Sequence, residues 1–227
     1  MRRPLTVLVA ALAALSLTAA PAAVAAESPA ATGPAASAKT IKVRYGTFKA
    51  KTYKGKGTKV VKLPKGATRG LVTISAPGEG TLKVQALKKN RKTHGRPLVG
   101  KIDGPYKGTT VFGLRSTSYK PTYLKIESTS KKKWTVKVLP LHKAKALKKT
   151  QKGSGDAVYR VTLKKSKKWK LAYRSAVKDN LIVTTYGLTR NQVLVNKITK
   201  KYTGKVRVED FSGFLVVRSS GSWTLKR

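Results

Sequence analysis

Trp134-Thr135-Val136-Lys137-Val138 alternates large apolar side chains with polar ones. This period of two is the pattern of a β-strand with one buried side and one solvent-facing side. The same alternation recurs at Leu82-Lys83-Val84-Gln85-Ala86, at Leu124-Lys125-Ile126-Glu127 and at Ile41-Lys42-Val43-Arg44-Tyr45. Gly, Pro and Lys clusters separate such segments, and only residues 141–149 suit a short helix. The sequence therefore predicts an all-β protein of short strands.

An ordered series of similar segments occurs twice in the chain. Lys133-Trp134-Thr135-Val136-Lys137 matches Ser222-Trp223-Thr224-Leu225-Lys226. Three earlier segments match in the same order, namely 54–60 with 152–158, 97–102 with 193–198, and 106–108 with 202–204. Four collinear matches indicate an internal repeat. We therefore predict two homologous small antiparallel β-sandwich or barrel domains in tandem, at 39–140 and 141–227.

Turn residues and tryptophans refine this prediction. Pro77-Gly78-Glu79-Gly80 and Lys178-Asp179-Asn180 precede matching strands, so both are predicted to be hairpin turns. Trp134 and Trp223 each end one unit, and their apolar neighbours favour a core anchor over a ligand-stacking platform. Trp169 has no counterpart in the first unit, so its role stays open.

Two short motifs also recur between the units. A Tyr-x-Gly turn stands at Tyr106-Lys107-Gly108 and at Tyr202-Thr203-Gly204, and the second unit ends in Gly221-Ser222-Trp223-Thr224-Leu225. In these motifs the chain resembles tandem secreted bacterial β-sandwich repeats that finish with a Gly-x-Trp-x-aliphatic strand. The first unit departs from the pattern, because Lys132 stands where the glycine is expected. The resemblance implies a fold and no particular activity.

The first 26 residues are predicted to be a secretory signal peptide. Arg2 and Arg3 form its positive start, an apolar stretch covers 5–19, and 23–25 offer a small-residue cleavage site. A transmembrane anchor is the alternative, which Pro21 disfavours by interrupting the apolar stretch. Residues 27–38 are predicted to be a flexible Ala/Pro linker. We therefore expect a secreted, extracellular protein, with association with the cell wall as a further candidate location.

No catalytic residue, cofactor or metal ligand is predicted. The chain contains no cysteine, and its two histidines, His94 and His142, stand near cations that disfavour a metal ion. Gly55-Lys56-Gly57 and Gly153-Ser154-Gly155 look like phosphate loops but introduce strands instead of helices. The acids beyond the linker are interpreted as solvated or salt-bridged surface groups: Glu79, Asp103, Glu127, Asp156, Asp179, Glu209 and Asp210. The sequence therefore predicts that the protein is not an enzyme.

The charge of the chain indicates anionic partners. Fifty Lys and Arg residues stand against eight Asp and Glu, which gives a net charge of +42. A surface that serves solubility mixes both signs, so this excess favours anion binding. Lysine is a mobile point charge, so we expect affinity with little sequence specificity. The predicted anion-binding residues lie in Lys-rich clusters: Lys88, Lys89, Arg91, Lys92, Lys131, Lys132, Lys133, Lys164, Lys165, Lys167, Lys168, Lys197, Lys200 and Lys201.

The leading functional hypothesis is a secreted cationic protein that binds extracellular polyanions or anionic cell-envelope surfaces. Its candidate partners are cell-wall phosphate polymers, polyphosphate, extracellular nucleic acid and acidic polysaccharide, with anionic membrane surfaces as a further candidate. A cationic antimicrobial, membrane-active protein is one alternative, although no amphipathic helix is visible. A lysine-rich structural matrix protein is the other. The sequence leaves the oligomeric state open.

Overall fold

The computed structural model describes residues 38–93, 95–114, 120–187 and 190–227. The predicted signal peptide, the predicted linker up to residue 37 and His94 lie outside the described residues. The described chain is nearly all β-structure with antiparallel sheets, as the sequence predicts. None of its helices is long and apolar enough to cross a membrane.

The first half of the fold, residues 51–139, is a sandwich of two four-stranded antiparallel sheets. Its strands are β1 (Lys51–Gly55), β2 (Lys59–Lys62), β3 (Gly70–Ala76), β4 (Thr81–Leu87), β5 (Val99–Asp103), β6 (Tyr106–Phe112), β7 (Tyr123–Ser128) and β8 (Trp134–Leu139). One sheet has the order β1-β8-β3-β6 and the other β2-β7-β4-β5. A core between them contains Ile74, Leu82, Ile126 and Trp134, because alternate side chains of both sheets point inward.

The second half, residues 145–226, is one curved seven-stranded sheet. Its strands are β9 (Lys145–Ala146), β10 (Thr150–Ser154), β11 (Ala157–Leu163), β12 (Lys167–Gly187), β13 (Asn191–Val208), β14 (Phe211–Arg218) and β15 (Ser222–Lys226). The order is β10-β15-β12-β14-β11-β9, and β13 pairs with β12. The sheet folds over a core that includes Trp169, Leu181, Leu215 and Trp223.

The length of β12 explains this curvature. Its residues 170–174 pair with β15, whereas its residues 182–187 pair with β14. Between them, the register with β13 shifts from Arg174 to Asp179. The predicted hairpin turn at 178–180 is therefore wrong, because the strand bends there and continues. At 77–80, the predicted turn connects β3 of one sheet to β4 of the other, so it is a turn but not a hairpin.

A third apolar cluster joins the two halves. Leu71 and Val111 of the first half pack with Val158, Tyr186 and Phe214 of the second. The outer side of the β1-β8-β3-β6 sheet thus lies against β11, β14 and the end of β12. Residues 168–174 of β12, with β15, lie on the far side of the second core from this junction.

The segment before β1 differs from its predicted conformation. Residues 38–45 form the helix α1 (Ala38–Tyr45), although 41–45 alternate like a strand. Ile41 and Tyr45 are one helical turn apart and both pack into the junction cluster, whereas Val43 is 81 % exposed. The helix predicted at 141–149 is also wrong, since only a 3₁₀ turn at Leu141–Lys143 precedes β9.

Tryptophan and glycine pair identically in both halves. Gly55 of β1 stands opposite Trp134 of β8, and Gly153 of β10 stands opposite Trp223 of β15. The indole Nε1 of Trp134 donates to the Gly57 carbonyl at 2.9 Å, and that of Trp223 donates to the Gly155 carbonyl at 3.0 Å. Both rings are buried, so the core-anchor interpretation is confirmed, and Trp169 is buried as well.

One acid lies at the junction and not on the open surface. Tyr106 Oη donates to Asp156 Oδ2 at 2.8 Å, and the Ser219 N–H donates to Asp156 Oδ1 at 3.0 Å. The Thr109 N–H donates to the Asp156 carbonyl oxygen at 2.9 Å. Burial raises the pKa of the Asp156 carboxyl, although these side-chain contacts and the Arg218 charge oppose the shift. Asp156 is therefore a structural contact between the halves.

We expect this carboxyl to make the stability depend on pH. An acid whose pKa is higher in the folded state binds more protons there, so its contribution to stability falls as the pH rises above its ordinary value. Asp156→Asn keeps an acceptor for Ser219 but does not titrate. Urea unfolding of both proteins between about pH 3.5 and pH 7 should show wild-type stability falling relative to the variant. A relative gain with rising pH would contradict this assignment.

Candidate anion-binding face

The site begins with alternation along the first part of β12. Trp169, Leu171 and Tyr173 point into the second core and are fully buried. The intervening residues therefore project outward, and Lys168, Lys170, Ala172 and Arg174 are all exposed. This segment presents three cations and one small side chain on a rigid central strand.

Neighbouring strands extend this outward side. On β13, Lys201, Lys205 and Arg207 stand opposite Arg174, Lys170 and Lys168, respectively. On the other side, Lys226 of β15 stands opposite Lys170, and Thr224 of β15 stands opposite both Ala172 and Lys152 of β10. Directly opposed residues share one side of an antiparallel sheet. Four strands, in the order β13-β12-β15-β10, thus form one surface.

We call this surface the outer basic face. Its cations are Lys152, Lys168, Lys170, Arg174, Lys201, Lys205, Arg207 and Lys226, and all of them are exposed. Its remaining outward positions hold Thr150, Ser154, Ala172, Thr203, Ser222 and Thr224, so no acid interrupts it. Because like charges lie a strand spacing apart, they create a concentrated positive potential.

Three acids of the described chain form ion pairs outside this face. Glu127 forms ion pairs with Lys125 and with Lys83, the latter at 3.3 Å. The hydrogen bonds from these two lysines lower the pKa of the Glu127 carboxyl. Arg190 holds Glu209 at 2.5 Å and Asp210 at 3.0 Å. Within the described ranges, no cation of the outer basic face forms an ion pair. Its charge is therefore available to an external anion.

A row of small side chains crosses the middle of this face. Thr203, Ala172 and Thr224 stand side by side on β13, β12 and β15. Around the last two, a shallow depression of about 270 Å³ is lined by Lys152, Ala172, Arg174, Ser222 and Thr224, among others. Two cations and two hydroxyl groups thus surround one depression.

Two of the sequence-predicted residues, Lys168 and Lys201, belong to this face. Lys167 and Lys200 are exposed beside them, and Lys197 lies further along β13 opposite Leu181. The other predicted residues lie in turns and loops that are not part of the four strands of the face. Lys164 and Lys165 occupy the β11–β12 turn, Lys131, Lys132 and Lys133 the β7–β8 turn, and Lys88, Lys89, Arg91 and Lys92 the β4–β5 loop.

The basic clusters of the β4–β5 loop and the β7–β8 turn lie at opposite ends of the β4–β7 strand pair. Leu87 pairs with Tyr123 at one end of the β4–β7 pair, whereas Leu82 pairs with Ser128 at the other. The β4–β5 loop begins at the first end and the β7–β8 turn at the second. Arg91 also stacks over the Tyr123 ring, 5.7 Å from its centroid. These clusters are separate solvent-exposed groups.

Sequence reasoning missed most of the face. Lys152, Lys170, Arg174, Lys205, Arg207 and Lys226 stand outside the predicted set. The sequence does contain a pattern that could have identified some of them, because cations alternate with core residues through 168–174 and 201–207. The prediction instead weighted consecutive lysines, which are typical of turns.

The described residues include no group of three or more His, Asp or Glu side chains placed to hold a metal ion. His142 is half-buried in the 3₁₀ turn, where burial and then the charges of Lys143, Lys42 and Arg160 lower its pKa. Neutral imidazole is thus favoured at that position.

Comparison with known proteins identifies no family. No family model matches the chain, and no curated protein matches it. A conserved protein of unknown function from Pseudomonas aeruginosa is similar at 9 % identity over 79 % of this chain and 78 % of that one, with a TM-score of 0.26. A turret protein of Sulfolobus turreted icosahedral virus is similar at 13 % identity over 78 % and 96 %, with a TM-score of 0.23. Likenesses at these scores decide neither fold nor function.

Proposed function

We propose that this protein is a secreted, non-enzymatic polyanion-binding protein that captures extracellular anionic polymers or anionic cell-envelope surfaces. The observation behind this proposal is the outer basic face, in which eight exposed cations share one rigid four-stranded surface with no acid among them. A field of this kind concentrates polyanions and raises their association rate. Glu127, Glu209 and Asp210 pair with cations outside this face, and none of the ion pairs among the described residues includes a cation of the face.

The binding would be driven by release of counterions from the polymer. Each phosphate or sulfate that meets a lysine frees condensed cations into the solution, and this gain is independent of sequence. Six of the eight cations are lysines, which neutralise charge without the fixed fork that arginine uses for bidentate recognition. We therefore expect binding that depends little on the sequence of the polymer.

We further propose that the fold consists of two homologous tandem domains, 39–140 and 141–227. The support is the equivalence of strand pairs, since β1–β8 and β10–β15 share the Gly–Trp register. Likewise, Gly108 stands opposite Ile74, and Gly204 stands opposite Leu171. In this scheme, β3 and β4 correspond to the two parts of β12, and β5 and β6 to those of β13.

Salt dependence tests the binding proposal. For a single-stranded polymer, log K falls with log salt at about −0.7 per neutralised phosphate, so eight contacts give a slope of about −5 to −6. We expect retention on polyphosphate or heparin to follow this slope when the salt concentration is varied in binding titrations. An affinity that stays constant between low and moderate salt would reject electrostatic capture.

A further inference from the structure

We propose that the outer basic face selects a slim, linear phosphate polymer, which lies across the strands in a trough and places one phosphate in the Ala172 depression. This inference rests on the proposed function and adds the class of polymer and its binding mode. It is based on how the side chains are arranged across the face. Cations and small residues lie in separate rows, so the charge is not evenly spread.

The trough has two cationic sides and a small floor. Lys205, Lys170 and Lys226 form one side, since they stand opposite one another on β13, β12 and β15. Arg174 and Lys201 form the other, four residues away along the strands, which is about 13 Å at 3.3 Å per residue. Between them lies the row of Thr203, Ala172 and Thr224.

This geometry sorts polyanions by thickness. The flanking cations have longer side chains than Thr203, Ala172 and Thr224, so the floor lies below their charged groups. A chain with a thin backbone, such as a polyphosphate or a polyol phosphate, can reach the floor. A duplex nucleic acid or a polymer of bulky sugar rings would contact the lysine tips alone and leave the donors of the floor unused.

The depression supplies complementary donors for a phosphate group. Lys152 and Arg174 line it with cations, and Ser222 and Thr224 line it with hydroxyls. Hydrogen bonds from ionised donors to phosphate oxygens are about twice as strong as neutral ones, and arginine can bind two oxygens at once. A tetrahedral group can accept from donors on three strands, β10, β12 and β15.

The corresponding side of the first half has no such trough. Matching the strand registers places Thr73 and Thr109 where the second half has Lys170 and Lys205. Their hydroxyls are 3.1 Å apart and can bond to each other. That side packs against the second half through Leu71 and Val111. Among the described residues, Lys137 matches Lys226, but the cations of Lys170 and Lys205 have no counterpart on that packed side.

A charge-neutral substitution tests the trough. Ala172→Phe should fill the floor on an exposed position of a central strand, where an aromatic side chain suits β-structure. Losing the contacts of Lys152 and Arg174 should lower the affinity for linear polyphosphate about 20-fold near 0.1 M salt. Affinities for heparin and for duplex DNA, measured at the same salt, should change less than about twofold.

Ala146→Phe is the matched control, because Ala146 is exposed on the edge strand β9, away from the face. It should leave all three affinities unchanged, and urea unfolding verifies that both variants are folded. An equal loss for all three polymers, or no loss for polyphosphate, would overturn the trough while leaving electrostatic capture standing. If the wild-type protein binds none of the three in a salt-dependent way, both proposals fail.

Discussion

Replacing Gly153 by alanine should destabilise the protein by about 3 kcal/mol, since overpacking in a core costs about 1–3 kcal/mol and a displaced indole loses a hydrogen bond worth about 1 kcal/mol. A methyl group at this position would overlap the six-membered ring of Trp223. That ring is 2 % exposed, and its Nε1 is held by the Gly155 carbonyl, so it has no room to retreat.

Gly55→Ala provides an independent repeat of this experiment in the first half. Its new Cβ would lie 2.5 Å from Cζ2 of Trp134, which donates to the Gly57 carbonyl in the same way. We expect a similar loss, measured as the free energy of unfolding from urea titrations. Two comparable losses would support the tandem arrangement, because equivalent residues would then have equivalent roles.

Gly100→Ala is the control for the general effect of replacing a strand glycine. Gly100 lies in β5, and a Cβ added there meets no atom within 4 Å. Alanine restricts the unfolded chain, so this variant should be unchanged or stabilised by about 0.5 kcal/mol. If Gly153→Ala and Gly100→Ala proved equally stable, the packing of Trp223 on the glycine would be contradicted.

The sequence predicts the class of fold because the strands are short and have one buried side. Alternation at 82–86, 124–127 and 134–138 corresponds to β4, β7 and β8. It fails at 41–45, where the same spacing also places Ile41 and Tyr45 on one side of a helix. The choice between a strand and a helix at 41–45 depends on packing into the junction cluster, which distant residues form. Local sequence therefore could not predict it.

The continuity of β12 is a second feature that local sequence does not reveal. Asp179 and Asn180 are residues that favour turns, yet they lie within a strand whose register shifts beside them. Partners on β13, β14 and β15 keep the chain extended on both sides of the shift. Tertiary pairing thus overrides turn propensity here.

The candidate face could be predicted only in part, because it is assembled across strands. Lys170, Lys205 and Lys226 are far apart in sequence, and no run of basic residues connects them. Their proximity follows from strand order, which requires knowing that β12 pairs with both β13 and β15. Runs such as 131–133 are visible in sequence but remain isolated in turns.

Removing the three cations on one side of the trough should produce the largest loss of binding. In Lys170→Gln/Lys205→Gln/Lys226→Gln, three adjacent counterion-releasing contacts disappear together. At about 0.7 log units per contact near 0.1 M salt, we expect a loss of about 100-fold in affinity for polyphosphate. The salt slope should become shallower by about 2, which isothermal titrations at several salt concentrations would measure.

Lys131→Gln/Lys132→Gln/Lys133→Gln is the matched control, since it removes the same charge from the exposed β7–β8 turn. Only the long-range field changes there, and salt screens that field beyond about 10 Å at 0.1 M. We therefore expect less than about a threefold loss and an unchanged slope. Equal losses in the two triple variants would mean that net charge alone attracts the polymer, and the outer basic face would then have no special role. A loss confined to the face would instead show that strand pairing, by placing three distant lysines side by side, creates the binding surface.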